Sequence, residues 1–132
     1  MRKTESMSDK YILDTSALIE LLTETEKGSR VLGIIKNAST LIPSIVVAEL
    51  RSKLERTGIQ SDEFIKGIQE TSHILDLNFQ IADKAGKKHA ELRKKFEDIS
   101  LADCIIMSHA ENEQIKVITT DSHFKNSNAI LL

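Results

Sequence analysis

The sequence of 132 residues contains one cysteine, one proline, one tyrosine and no tryptophan. A single cysteine excludes an intramolecular disulfide and is compatible with a reducing compartment. The scarcity of aromatic residues leaves no evident platform on which nucleic-acid bases could stack. No apolar run approaches the roughly 20 residues that cross a bilayer, and residues 1–10 lack the apolar core of a secretory signal. We therefore expect a cytoplasmic protein with no membrane contact.

A strong excess of charge of one sign is also missing. The net charge of -2 argues against a generic nucleic-acid coat protein, which usually carries a large basic excess. It does not exclude a nuclease, because an acidic centre can mask basic residues nearby. The length, with 40% hydrophobic and 29% charged residues, fits one soluble globular domain. We predict a polar N-terminal tail over residues 1–9 and a single domain over residues 10–132.

Short apolar runs alternate with segments of helical periodicity along the chain. Strands are predicted at residues 11–14, 40–43, 73–77 and 116–119, with a short edge strand at 129–132. Helices are predicted between them, including one capped by Ser44, one over residues 79–96 and one capped by Ser100. This alternation predicts an α/β fold, a three-layer α/β/α sandwich with a mainly parallel central sheet.

Four acidic residues stand where a hydrophobic element ends or a helix begins: Asp14, Glu49, Asp103 and Asp121. The carboxyl ends of parallel strands and the starts of the following helices gather along one edge of such a sheet. Carboxylates brought together there repel one another unless a divalent cation neutralises them. The pattern therefore predicts a metal site at this edge.

Each acid also has an ordinary structural interpretation. Asp14 could cap the helix that follows it, and Asp103 stands three residues after Ser100 in a capping-box pattern. Asp121 could form a turn, and Glu49 could be a surface charge on its helix. These interpretations do not explain why all four acids fall on one predicted edge, so we favour the metal site.

Four blocks of sequence carry a resemblance to a known family. They are YILDTSAL from residue 11, PSIVVAEL from residue 43, SLADCIIMSHA from residue 100 and VITTDSHF from residue 117. In this order and spacing they resemble the PIN-domain ribonucleases, and within them the VapC-type toxins of toxin–antitoxin pairs. The resemblance covers the chain from about residue 10 to its end.

The resemblance implies an endoribonuclease that hydrolyses RNA phosphodiester bonds at a centre holding Mg²⁺ or Mn²⁺. The family's acidic quartet, which is both catalytic and metal-binding, falls on Asp14, Glu49, Asp103 and Asp121. Its hydroxyl-bearing, substrate-binding positions fall on Ser16 and Thr119. The resemblance also implies a homodimer, an RNA substrate and a cognate antitoxin that silences the enzyme.

Several other residues have both a structural and a functional interpretation. Asp98 could be a fifth acid or could simply lie in its loop, and His123 is expected in a turn but could touch substrate. Two basic groups could hold RNA phosphates, one on the helix segment 84–95 and one comprising Arg51, Lys53 and Arg56. Such charges more often form a solvated helix face. Cys104 is expected in the core.

Other functions remain open at this point. A PIN-like domain could bind RNA or protein without catalysis. A receiver-type signalling module also gathers acids around Mg²⁺, but it normally has an early acidic doublet and a late lysine. A haloacid-dehalogenase-like phosphatase needs a second Asp two residues after the first, where this chain has Ser16.

Overall fold

The computed structural model describes residues 9–132, so the predicted N-terminal tail lies outside the described residues except for Asp9. These residues form five strands and six α-helices, with two helices after each of the first three strands. They are β1 Lys10–Leu13, α1 Thr15–Leu22, α2 Glu26–Ile35, β2 Ser39–Pro43, α3 Ser44–Thr57, α4 Asp62–Thr71, β3 His73–Leu75, α5 Phe79–Leu92, α6 Leu101–Glu113, β4 Lys116–Thr119 and β5 Ala129–Leu131. A single 3₁₀ turn, Ser122–Phe124, lies between β4 and β5.

All strand pairs of the sheet are parallel, in the order β3-β2-β1-β4-β5. The chain steps in one direction from β1 to β3 and then returns past β2 and β1 to β4. Because such crossovers are right-handed, helices cover both faces of the sheet. The predicted three-layer α/β/α fold is confirmed. Receiver modules have the order 2-1-3-4-5, so the receiver alternative is wrong.

The direction of strand addition reverses between β1 and β4, and this reversal positions the candidate site. Leu13 of β1 is in register with Ile118 of β4. The Asp14 N–H continues the ladder by donating to the Ile118 carbonyl oxygen at 3.4 Å. Ligands of open α/β sheets bind beyond the carboxyl ends of the strands at such a reversal. Asp14, directly after β1, therefore lies at the position of the sheet where ligands usually bind.

The core explains why these apolar runs form strands and amphipathic helices. Ile12, Ile42 and Ile118 of the three central strands are almost fully buried, and so are Leu50 and Leu54 of α3. Helix α6 also belongs to the core. Its residues 104–110 are buried because the helix packs against α5, α3 and β4. Cys104 is fully buried within this helix, as predicted.

Three local predictions were wrong. Ser44 does not cap α3 but is its first residue, because Pro43 ends β2 and itself occupies the N-cap position with φ of −59°. Strand β3 ends at Leu75 rather than at residue 77, because its partner β2 ends at Pro43. Helix α5 ends at Leu92 rather than at residue 96, and the chain turns so that residue 96 packs on the core.

Gly58 ends α3 with the left-handed φ of 75° that glycine adopts most easily. No helix among residues 9–132 has both the length and the apolar character required to cross a membrane.

Candidate metal and active site

A cavity of about 600 Å³ opens at the carboxyl edge of the sheet. It lies beyond the ends of β1 and β4, between the starts of α1 and α6 and the stretch of α3 over residues 48–56. All four predicted acids line it, and so does Ser16. The lining residues are Asp14, Thr15, Ser16, Ala48, Glu49, Ser52, Lys53, Arg56, Asp103, Ile106 and Asp121. The structure therefore brings together residues that lie up to 107 positions apart in the sequence.

Asp14 is the most buried of the four acids, with 5% of its surface exposed. Its Oδ1 accepts hydrogen bonds from the Ser16 hydroxyl at 2.7 Å and from the Ala17 N–H at 3.0 Å. Its Oδ2 accepts from the Thr119 hydroxyl. The predicted cap of α1 is therefore real, and it coexists with a place in the cavity. An ionised carboxylate has about four acceptor positions, so about one remains for another partner.

The two hydroxyl groups that bond Asp14 are themselves held by backbone donors. The Thr120 N–H donates to Ser16 Oγ at 2.9 Å, and the Asp121 N–H donates to Thr119 Oγ1 at 2.9 Å. Each hydroxyl proton is thereby directed at the carboxylate. Ser16 lines the cavity and is half-buried, whereas Thr119 is fully buried. Only the first of these hydroxyls is open to a molecule in the cavity.

Glu49 and Asp103 come from helices that start at the same edge. Glu49 lies in the second turn of α3, where its Oε1 accepts a hydrogen bond from the Thr15 hydroxyl at 2.9 Å. Asp103 completes the predicted capping box, since the Ser100 N–H donates to its Oδ2 at 3.3 Å and its own N–H donates to Ser100 Oγ at 3.0 Å. Capping thus aims this side chain as well as stabilising α6.

Asp121 and His123 share the short turn after β4. Asp121 Oδ1 accepts a hydrogen bond from the His123 N–H at 2.9 Å, which is the turn-forming role predicted for this residue. The His123 ring reaches back toward the acids, with Nδ1 3.0 Å from Asp121 Oδ1 and 3.8 Å from Asp103 Oδ2. Its Nε2 lies 2.9 Å from the exposed Asp98. Asp98 therefore joins the site through His123, outside the cavity lining.

The surroundings of the cavity disfavour the ionised form of three of its four acids. Burial is the main cause that raises the pKa of Asp14, Glu49 and Asp103 above the ordinary values. Repulsion adds to it, from Asp121 on Asp14 and Asp103, and from Asp103 and Asp14 on Glu49. Hydrogen bonds from hydroxyl and backbone donors lower these pKa values and only partly compensate. The site is short of positive charge.

Some of the basic residues line the cavity, whereas others that are near them in the sequence form ion pairs elsewhere. Lys53 and Arg56 of α3 line the cavity. Arg51 instead pairs with Glu55 at 3.1 Å and with Asp62 at 2.8 Å. On α5, Lys84 and Lys88 both pair with Glu111 of α6, at 3.1 and 2.6 Å. Lys53 and Arg56 are thus the basic residues that can meet a ligand in this cavity, and the sequence alone did not separate them from the others.

The family model described as the PIN domain matches residues 11–129. The chain belongs to the PIN domain family. No curated protein sequence matches it.

Solved structures that are similar to this PIN domain include toxin–antitoxin proteins. The VapBC2 structure from Rickettsia felis, bound to a DNA fragment from its promoter, is 25% identical with a TM-score of 0.68, covering 93% of this chain and 97% of that one. VapBC-1 from nontypeable Haemophilus influenzae is 26% identical with a TM-score of 0.70, covering 92% and 97%. VapC20 from Mycobacterium tuberculosis, a sarcin–ricin loop cleaving toxin, is 14% identical with a TM-score of 0.73, covering 88% and 93%.

The residues of this PIN domain fit a divalent cation. Carboxylate oxygens are the ligands that Mg²⁺ and Mn²⁺ prefer. One ligand atom each from Asp103, Asp121 and His123 lie within 4.8 Å of one another. The buried His123 Nδ1 has no hydrogen-bond partner among the described residues. A bound cation would stabilise the ionised form of the carboxyl groups whose pKa values are raised, and it would give the unpartnered nitrogen a partner.

Proposed function

We propose that this PIN domain is a metal-dependent endoribonuclease that hydrolyses RNA phosphodiester bonds, and that it is the toxin of a toxin–antitoxin pair. Asp14, Glu49, Asp103 and Asp121 are the proposed catalytic metal ligands, with Mg²⁺ or Mn²⁺ as cofactor. The observation that carries the proposal is the convergence of these four acids, from four separate elements, in one cavity with too little positive charge.

The cation, when bound, supplies an activated water and stabilises the oxygen that departs from phosphorus. The protein supplies position. Asp14 is held by two hydroxyl groups and a backbone N–H, so it keeps one orientation without rearrangement. Ser16 is the hydroxyl open to the cavity and is proposed to contact substrate. Thr119 was predicted to do so too, but its full burial favours a positioning role through Asp14.

Lys53 and Arg56 are proposed to hold the RNA backbone beside the acids. Both line the cavity from the α3 side. Phosphate contacts of this kind fix the position of a nucleic acid without reading its sequence. RNA is the substrate class to test first, because the motifs resemble those of RNA-cleaving toxins and one relative of the same fold is named for cleaving the sarcin–ricin loop.

The proposed protein partner is a cognate antitoxin. Structures of the relatives from Rickettsia felis and Haemophilus influenzae are of VapBC pairs. A mainly apolar groove of about 280 Å³ between α1 and α4 offers a surface for such a partner, with Leu18, Leu21 and Phe64 among its lining. A homodimer and a cytoplasmic location also belong to the proposal, on the strength of the resemblance.

The test is cleavage of a mixed RNA substrate by purified protein after chelation and metal replacement. We expect cleavage with Mg²⁺ or Mn²⁺, none with EDTA, and a loss of at least about 100-fold in Asp14→Asn and in Asp103→Asn. Asp76→Asn is the matched control, because Asp76 is exposed and does not line the cavity.

Two outcomes would contradict the proposal. Wild-type rates in both variants under excess metal would reject the roles assigned to the acids. Tight RNA binding by a wild-type protein that never cuts RNA would favour the non-catalytic alternative, in which a PIN-like domain binds RNA or protein.

A further inference from the structure

His123 lies between an exposed acid and two acids of the cavity. Its Nε2 is 2.9 Å from Asp98 Oδ1, while its Nδ1 is 3.0 Å from Asp121 Oδ1 and 3.8 Å from Asp103 Oδ2. The side chain is 18% exposed, and the Nδ1 atom itself is buried. The ring is further restrained by the edge of Phe96, with ring centroids 6.0 Å apart. The imidazole is therefore fixed with one nitrogen facing the acids.

The contact with Asp98 decides which nitrogen carries the proton. A carboxylate only accepts hydrogen bonds, so Nε2 must be the donor in the 2.9 Å contact. In the neutral imidazole the other nitrogen, Nδ1, then presents a lone pair. Although Asp121 Oδ1 is only 3.0 Å away, Nδ1 forms no hydrogen bond with it, so the two atoms are close without being aligned as donor and acceptor.

We propose that His123 is a nitrogen ligand of the metal centre, oriented by Asp98, and that it makes this site prefer Mn²⁺ to Mg²⁺. The inference rests on the proposed function and adds a ligand to it. A metal-binding histidine characteristically donates its second N–H to a carboxylate, which fixes the tautomer and the ring orientation. Imidazole nitrogen suits transition-metal ions, whereas Mg²⁺ prefers oxygen and its own waters.

The spacing of the candidate ligand atoms is compatible with one shared ion. Adjacent ligands around an octahedral ion with bonds of about 2.1 Å are about 3.0 Å apart, and opposite ligands are about 4.2 Å apart. The His123 Nδ1 separations of 3.0 and 3.8 Å from the two acids fall at or between these values. The third separation, between the Asp103 and Asp121 ligand atoms, is at most 4.8 Å.

A simpler role for His123 is that of a positive charge that offsets the acids. That role would also make its replacement weaken the site, so activity alone does not separate the two. A coordinating nitrogen has a spectroscopic signature that a charge lacks. The ¹⁴N nucleus of a bound imidazole modulates the electron spin echo of Mn²⁺ strongly, whereas the nitrogen of an unbound imidazolium nearby modulates it far less.

The experiment measures Mn²⁺ binding and pulsed electron paramagnetic resonance on the full chain, with Mg²⁺ as the competing ion. We expect ¹⁴N modulation in the wild type and its loss in His123→Gln, whose amide oxygen can still serve Mg²⁺. In Asp98→Asn we expect a loss of Mn²⁺ affinity of about 10–100-fold. That variant should fold normally, because the Asp98 side chain is 83% exposed. His73→Gln is the control, because His73 is an exposed residue of β3.

The outcomes separate this inference from the proposed function. Bound Mn²⁺ without ¹⁴N modulation in the wild type, or unchanged modulation in His123→Gln, would overturn the inference, and metal-dependent RNA cleavage would then still stand. A wild type that binds no Mn²⁺ and cuts no RNA would overturn both. An unchanged preference for Mn²⁺ over Mg²⁺ in His123→Gln would refute the selectivity role.

Discussion

Replacing Asp103 by asparagine should make the metal-free protein more stable and remove most of its stabilisation by metal. The Asp103 side chain is 18% exposed, and its ligand atom lies within 4.8 Å of that of Asp121. Asparagine keeps an oxygen that can accept the Ser100 N–H, so the start of α6 should be preserved. The substitution therefore removes a charge with little other change.

The magnitude follows from the repulsion between the two carboxylates. At 4.8 Å, the upper limit of the separation between these ligand atoms, two unit charges repel by about 1 kcal/mol in water and by about 3.5 kcal/mol at an effective dielectric constant of 20. We expect the metal-free free energy of unfolding to rise by about 1–3 kcal/mol in Asp103→Asn. Metal at 100 times its dissociation constant should stabilise the wild type by about 2.7 kcal/mol. The variant should gain only a small fraction of this.

The pH dependence has a definite sign. Burial and the neighbouring Asp121 raise the pKa of Asp103 above its ordinary 3.8. The folded protein therefore binds this proton more tightly than the unfolded chain, and the contribution to stability is present below 3.8 and lost as the pH rises through the folded pKa. Without metal, the advantage of Asp103→Asn over the wild type should be largest at neutral pH. It should shrink as the pH falls toward 3.8.

The assay is urea unfolding followed by circular dichroism, in EDTA and in saturating Mn²⁺, for wild type, Asp103→Asn and the control Asp76→Asn. A chain of 132 residues is short enough for two-state analysis. An equal gain from metal in the wild type and Asp103→Asn would refute the reasoning. So would a metal-free Asp103→Asn that is less stable than the wild type at neutral pH.

Three further predictions test other parts of the structure. Replacing Lys53 and Arg56 by alanine should weaken RNA binding and reduce the slope of log affinity against log salt by about 0.7 per lost phosphate contact, measured by salt titration. In Gly28→Ala the new Cβ would lie 2.2 Å from a backbone oxygen of α1, so urea unfolding should show a loss of about 1–3 kcal/mol. Gly33→Ala meets nothing within 4 Å and should gain about 0.5–1 kcal/mol instead. Thr119→Val should lower RNA cleavage by about 10–100-fold while Thr119→Ser keeps it, because only serine retains the hydroxyl that orients the buried Asp14 carboxylate.

The elements of the fold were largely predictable because their signals are local. Short apolar runs with intervening helical periodicity gave strands and helices close to the observed bounds, including β4 at Lys116–Thr119. The errors fell at boundaries, as at Ser44 and at the end of β3. A strand ends where its partner ends, and a cap depends on the residue before it, so these boundaries are set by neighbours that the local pattern does not contain.

The contacts around the acids were less predictable. The sequence placed Arg51, Lys53 and Arg56 in one group, yet Arg51 pairs with Asp62 of α4 while the other two line the cavity. His123 was expected in a turn, and the only sequence signal for a larger role was its position two residues after Asp121. Side-chain direction and the packing of neighbouring elements decide such pairings, and neither is encoded in spacing alone.

The sequence by itself determined that four acids would stand at one edge of a parallel sheet, since every strand's carboxyl end points the same way once the strands are joined by right-handed crossovers. Only the tertiary structure decided how those acids are held. The register of β1 against β4 puts the Thr119 hydroxyl on Asp14, and the turn after β4 carries His123 to Asp98, 25 residues away in the chain. Hydrogen bonds act over about 3 Å, so contacts between distant residues exist only where packing closes the remaining gap.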